Sequence, residues 1–355
     1  VNIEVLKRQI APAACRFLTA TGLYRLATPI YGGLGCILNF HRVLPAGSGP
    51  RVPSVRALEV TPDWLAQSID FVRTQGLKII GPDDLVAMLR GEIPQRRFVI
   101  YTFDDGYEDN LVHALPVFRE KVAPFTVYVA TGFPERTLIP WWQLLEDLIL
   151  AQPRLQLRLG GASLAFDCAT DAGREDAFYT LRSAMLEGMR KDYRGTLDEV
   201  FGPFGIDPFR HSGLGLSWDQ VRDLARDPRV TIGSHGCRHV PLAKLPEAEM
   251  ILELTESRRI LEEQLGRPVR HLAYPYGATG EAGPREFAAA QAAGYLTAVT
   301  TRPANVFPEH RDHLTCLPRN LVSGEREGRN LPFMKLWFSG TIPALENRLR
   351  RVVTL

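Results

Sequence analysis

From residue 34 onward, apolar and polar positions fall into short β-rich runs that alternate with stretches of helical period. That is the pattern of parallel strands joined by crossover helices. The strand-like runs cover 36–40, 77–80, 98–103, 125–130, 230–233, 269–274 and 296–300. The helices between them have readable ends. Thr61 and Pro62 form an N-cap and first-turn pair, followed by a stripe of Trp64, Leu65, Ile69 and Val72. Ser217 caps a helix that begins at Trp218. Between Glu247 and Gly266, Ile251, Leu254, Leu261 and Leu265 share a face, which Gly266 and Pro268 end. Seven alternations predict an α/β barrel of the triosephosphate-isomerase type, complete or short of a unit, with the site at the carboxyl ends of the strands. An open doubly wound sheet is the alternative.

The interval 132–215 breaks the rhythm and reads as an insertion that roofs the site, with helical segments around a hairpin turning at Gly160-Gly161. The barrel is expected over 34–325. Before it, residues 1–33 form an amphipathic helical segment, with Leu6, Ile10, Ala13, Ala14, Phe17, Leu18 and Tyr24 at helical spacing and Lys7, Arg8, Arg16 and Arg25 basic. Such a helix either packs over one end of the domain, the reading preferred because Pro12 interrupts the stripe, or lies on an anionic membrane surface. Residues 326–355 form a basic helical tail, with Phe333, Leu336, Trp337 and Phe338 ahead of Arg348, Arg350 and Arg351.

Composition changes this picture little. Apolar residues make up 45% of the 355 positions, charged residues 23%, and the net charge is +2, so nothing favours a nucleic-acid partner. The five cysteines include no CxxC pair, which points to a reducing compartment. No run reaches the length of a membrane span and the start shows no secretory pattern. A cytoplasmic location is the expectation, with peripheral contact at the inner membrane face as the alternative to packing of the terminal helices.

The chemistry concentrates at three strand ends. Val99-Ile-Tyr-Thr-Phe-Asp-Asp-Gly106 is an apolar strand ending in two carboxylates, and Gly106 supplies the freedom for Asp104 and Asp105 to converge. A helix N-cap would need only one of them. Val230-Thr-Ile-Gly-Ser-His235 ends in a histidine with His239 four residues on; the pair can chelate one ion, with Asp105 as third ligand and Cys237 as a conceivable soft one. Such a set leaves coordination positions open for water and substrate. His271-Leu-Ala-Tyr-Pro-Tyr-Gly277 ends in a rigid turn that can fix a backbone N–H for an oxyanion.

Together TFDDG at 102–106, the His-x-x-x-His of 235–239 and YPYG at 274–277 resemble, in order and spacing, the polysaccharide deacetylases, also called the NodB-homology domain or carbohydrate esterase family 4. The resemblance covers roughly residues 34 to 320. It implies a distorted (β/α)7 barrel and a metal-dependent hydrolase that removes acetyl groups from an amino sugar. Asp104 would be the base, Asp105, His235 and His239 the ligands of a divalent metal, with Zn2+ the default, and the Tyr276 amide part of the oxyanion hole. Gly236 and Arg238 depart from the Thr or Ser and the Ser usual in the His motif. Ala273 stands where many members carry an arginine that orients the catalytic Asp, and Arg319 in LPRN is the preferred substitute, ahead of Arg238. For the acid that protonates the departing amine, His41 comes first, His313 second and His310 third. Trp141, Trp142 and Tyr107 are candidates for stacking on sugar rings, or for packing on the barrel. The substrate would be a poly-, oligo- or lipid-linked saccharide. Two other readings stay open: hydrolysis of a non-sugar amide or formamide, and non-catalytic saccharide binding.

Overall fold

The computed structural model describes residues 13–354. Eight strands form one parallel sheet: β1 Gly35–Phe40, β2 Lys78–Ile79, β3 Phe98–Phe103, β4 Phe125–Val129, β5 Val230–Ser234, β6 His271–Ala273, β7 Thr297–Val299 and β8 Asn320–Leu321. Their spatial order is β7-β6-β5-β4-β3-β1-β8, with β2 paired against the start of β3. The chain entering β8 spans the remaining gap, because Leu317 bridges Val299 of β7 while Asn320 pairs with Leu38 of β1. The curled sheet is a distorted (β/α)7 barrel rather than an open doubly wound sheet.

Strand runs such as FVIYTF are buried on both faces, and the two faces go to different cores. Leu38, Phe40, Val99, Tyr101, Phe103, Phe125 and Val127 point outward beneath the helical layer, among them Leu65, Ile69 and Val72 of helix Pro62–Thr74. Phe40, Tyr101, Phe103, Phe118 and Phe125 stack face to face or edge to face there. Each such ring contributes on the order of 1.5–3 kcal/mol by burial. The alternate positions Ile37, Ile100, Tyr128, Ala273 and Val299 fill the barrel interior together with Leu317, and Leu85, Met88 and Leu89 join them near Phe98, where the strands begin. Because side chains alternate, the inward series carries past the strand ends: Ile37 and Asn39 lead to His41, Ile100 and Thr102 to Asp104, Thr231 and Gly233 to His235. Strand parity therefore delivers three polar groups to one mouth.

The inserted interval builds a second apolar cluster from helix Trp141–Ala151, the antiparallel hairpin Arg154–Leu159 with Ala162–Asp167, and helices Asp171–Lys191 and Tyr193–Phe201. Phe333, Leu336, Trp337 and Phe338 of the tail join the outer core beside β1, so their apolar surface is used in packing.

In the described residues the opening segment is helical over 13–21; Gly22, at φ 75°, ends that helix, and a 3-10 turn at Leu23–Leu26 and a single α-helical turn at Thr28–Tyr31 follow. Cys15 and Leu18 face the core while Phe17 is exposed, and Leu6, Lys7, Arg8 and Ile10 lie outside the described residues. In helix Glu247–Leu265 the buried face is Met250, Glu253, Leu254, Ser257 and Leu261, and Ile251 is exposed. This corrects the expected stripe, which is rotated so that Glu253 faces the loop between the histidines and Ser257 meets Ser234 at the end of β5.

Candidate active site

Asp105, His235 and His239 converge at the carboxyl end of the barrel, with one donor atom of each within 4.8 Å of the others. His235 Nε2 and His239 Nε2 lie 3.3 and 3.2 Å from Asp105 Oδ1. His235 Nδ1 faces the Ala273 carbonyl at 2.7 Å, a contact that directs Nε2 toward the carboxylate. Asp105 Oδ1 is buried without a hydrogen bond among the described residues. A two-nitrogen, one-oxygen set around an orphaned buried oxygen fits a divalent cation. Burial would raise the Asp105 pKa, but the His239 and His235 imidazoles outweigh it and hold the carboxyl well below its ordinary range.

Left-handed backbone makes this convergence possible. Asp105, His239 and Tyr276 have φ of 74°, 52° and 62°, conformations costly for side chains with a Cβ and of order 1–3 kcal/mol each. The strain sits on one residue from each of the three strand-end motifs.

Asp104 is 2% exposed and faces another partner. Arg319, fully buried inside the barrel, forks onto it with Nη1–Oδ1 at 2.6 Å and Nη2–Oδ2 at 2.7 Å. The guanidinium also donates to the Thr300 carbonyl and to Thr102 Oγ1, and lies over the Tyr128 ring. Burial pushes the Asp104 pKa up; Arg319, with His235 and His41 behind it, more than offsets this, and the carboxyl titrates below its usual value. Arg238 is instead held at the surface by Glu253 and Glu249.

His41 follows β1 on the inward parity, and its Nδ1 is buried without a partner among the described residues. Burial lowers its pKa against the pull of Asp105 and Asp104. A π-helical turn at Asn110–Ala114 sets Asn110 beneath it, donating to the His41 carbonyl at 3.0 Å, while Asp109 takes the Val43 N–H and Arg42. His313 and His310 are corrected as acid candidates. They follow Val306, which bridges Gly35 where β1 begins, so they belong to the opposite end of the barrel. His310 is engaged by Phe307 and Val353, and His313 is exposed.

The aromatic candidates separate. Trp142 is half-buried, its ring 4.8 Å from that of His239, and its Nε1 donates to Tyr107 Oη. Tyr107 is buried between Arg42 and Phe133, and Trp141 is buried in the insertion, edge-on to Trp142. Tyr107 therefore supports Trp142 and offers no open face for a sugar. The Tyr276 ring lies 4.8 Å from His239, and its backbone N–H donates to no group among the described residues.

Sequence reasoning missed Glu253. Its carboxylate, 3% exposed, accepts from Cys237 N–H at 2.7 Å, Arg238 N–H at 3.1 Å and Arg238 Nε, and so shapes the loop between the two histidines. Gly236 allows this approach, since a Cβ there would meet Glu253 at 3.2 Å. An acid at core periodicity in an amphipathic helix was the available signal. Cys237 is turned toward the Glu253 carbonyl, and burial pushes its thiol up to about 11.

A parallel barrel with two differently partnered carboxylates and two histidines at its mouth carries the groups a hydrolase needs, and Asp105, His235 and His239 could hold a metal ion. The family model for polysaccharide deacetylases matches residues 91–298, more than half of the chain. The chain belongs to that family and is a hydrolase acting on N-acetyl amide bonds. The fold is similar to that of the Streptococcus pyogenes deacetylase PplD in complex with acetate, at 17% identity and TM-score 0.54, covering 83% of this chain and 95% of that one. It is also similar to IcaB from Ammonifex degensii, at 20% identity and TM-score 0.52 over 86% and 97% of the two chains. A de-N-acetylase from Aggregatibacter actinomycetemcomitans matches at 13% identity and TM-score 0.54, over 82% and 95%. None of the curated proteins matches the chain.

Proposed function

We propose that the chain removes the N-acetyl group from an amino sugar in a poly-, oligo- or lipid-linked saccharide, with a divalent metal held by Asp105, His235 and His239. Zn2+ is the ion best matched to those donors. One observation carries the reading: two adjacent carboxylates at one mouth have opposite partners, imidazoles for Asp105 and a guanidinium for Asp104.

When bound, the ion supplies Lewis-acid chemistry, polarising the acetamide carbonyl and acidifying water toward a pKa of roughly 7. Asp104 accepts the proton of the attacking water. The Arg319 fork occupies one lone-pair direction on each Asp104 oxygen and leaves others for that proton. The Tyr276 N–H donates to the carbonyl oxygen as it gains negative charge. His41 delivers a proton to the departing nitrogen; a lowered pKa makes its protonated form the stronger acid. The products are a free amino sugar and acetate.

The test is acetate release from N-acetylglucosamine oligomers by the metal-loaded protein. Asp104→Asn should lower kcat by about 10²–10⁴-fold while metal content stays parental. Near-parental turnover in that variant removes Asp104 from the role of base. Failure of the parent to release acetate from any N-acetylated saccharide overturns the substrate assignment.

We also propose that exposed Phe17, Leu23, Leu26 and Ile30, with Arg16 and Arg25 among them, contact an anionic membrane surface. Equal sedimentation with anionic and neutral vesicles would oppose it.

A further inference from the structure

Between the inserted helices and the loop after β5 lies a cavity of about 350 Å³ that opens onto His239 and Tyr276. Leu138, Ile139, Trp141, Leu186 and Met189 form an apolar side, and Arg190, Lys191, Arg238 and Lys244 face them with Glu249 as the one acid in the lining. Arg182 adds a guanidinium 5.4 Å above the Tyr276 ring. Part of this charge is already used: Arg190 pairs with Glu187, and Arg238 with Glu249 and Glu253. Five cations thus stand against three carboxylates, an excess of two. Lys191 and Lys244 form no ion pair among the described residues and point their charge at Glu187 only from a distance. An acetylated neutral sugar has no use for two surplus positive charges beside the reacting amide. A phosphate carries about −1.5 to −2 at neutral pH and matches them. A carboxylate matches only half.

Resting on the deacetylase reading, we propose that this cavity is a phosphate subsite, and that the substrate is an N-acetylated amino sugar bearing a phosphate monoester or a diphosphate ester held by Lys191 and Lys244. The phosphate enters at the basic side, the sugar reaches His239 and Tyr276, and the group on the far side of the phosphate lies along Leu186 and Met189. The same chemistry occurs in sugar phosphates, nucleotide sugars and prenyl-diphosphate-linked sugars, which differ only in that far group.

The experiment compares kcat/KM for acetate release from N-acetylglucosamine 1-phosphate, its uridine-diphosphate and prenyl-diphosphate derivatives, and the neutral methyl glycoside. The metal-loaded parent is set beside the double variants Lys191→Ala/Lys244→Ala and Lys191→Arg/Lys244→Arg. Calorimetric binding of N-acetylglucosamine 1-phosphate to each is measured in parallel. The alanine pair should raise KM for the phosphorylated substrates by about tenfold, at unchanged kcat and with no effect on the methyl glycoside. The arginine pair should retain parental KM, and the phosphate preference should shrink at about 0.5 M salt. The substrate with the lowest parental KM identifies which source of phosphate fits. Equal kcat/KM for neutral and phosphorylated sugars, unchanged in the alanine pair, overturns the subsite and leaves the deacetylase reading standing. Lysine-dependent binding without acetate release supports the subsite while removing the reaction. Binding that ignores both lysines overturns the subsite whatever the activity.

Discussion

Replacing Arg319 by methionine tests the link between fold and chemistry. Arg319 has no exposed surface and gives both terminal nitrogens to Asp104 at 2.6 and 2.7 Å and its Nε to the Thr300 carbonyl at 2.9 Å. Methionine fills similar length without charge, so Asp104 is left buried and unpaired. Removing one partner of a buried pair costs about 3–5 kcal/mol while the other stays ionised. Burial already pushes the Asp104 pKa up, and the guanidinium is the largest of the groups that bring it below its ordinary value, ahead of His235 and His41. In the parent, therefore, the base stays ionised well into acid, and the pair's contribution to stability is lost only as pH falls through the depressed pKa. In the variant the pKa rises above the unfolded value, so the penalty grows as pH rises and relaxes in acid, where the carboxyl is protonated. The acid limb of kcat/KM should move to higher pH by at least about one unit, and activity at neutral pH should fall by about 10²-fold or more. The assay is acetate release from about pH 5 to about pH 9, with urea unfolding at each end. Arg319→Lys keeps a charge but not the fork, and should keep the parental limb with a reduced kcat. If Arg319→Met has the parental acid limb and a kcat/KM within about threefold at every pH, Arg319 does not tune the base.

Three more perturbations act through named contacts. Glu253→Ala frees the Cys237 and Arg238 amides and should weaken metal binding by about 10–100-fold in chelator competition, with Glu253→Gln losing less; unchanged affinity in both would show that the loop holds itself. Metal retention should fall with pH earlier than at an ordinary imidazole site, by about tenfold per unit, because Asp104 and Asp105 outweigh burial and raise the His235 pKa, so the ion must displace a proton; flat retention down to about pH 5 would contradict this. Glu146 accepts the Val52 N–H at 2.9 Å, and burial pushes its pKa from 4.5 up to about 7, so it destabilises the fold increasingly as pH rises between those values and at a constant level above them. Glu146→Gln keeps an acceptor and should gain up to roughly 3 kcal/mol over the parent at about pH 8 but little at about pH 4, read by denaturant unfolding.

What could be read from the chain and what could not divides along contact distance. Strand runs, helix caps and the Gly160-Gly161 hairpin are written in neighbouring residues, and the structure has them where local pattern predicts: the Thr61 hydroxyl accepts from the Trp64 N–H, and Ser217 closes a capping box with Gln220. Strand parity extended that legibility to His41, Asp104 and His235, because a period of two needs no tertiary knowledge to say which side chains share a face. The partner of Asp104 is 215 positions away, and no local signal ties the two together; Arg319 is preferred in the sequence only because the family resemblance leaves Ala273 in place of the usual arginine. The same holds for Glu253 under the histidine loop and Asn110 beneath His41, polar residues whose worth lies in what approaches them. Composition also misled where burial decides, since Tyr107 resembles a sugar platform in sequence yet is covered by Arg42, Phe133 and Trp142. Reactive groups at strand ends are visible because the fold's own periodicity delivers them, whereas the groups that hold them come from elsewhere in the chain. A substitution such as Ala273 therefore cannot be judged at its own position: the charge missing there enters the barrel from the strand that closes it.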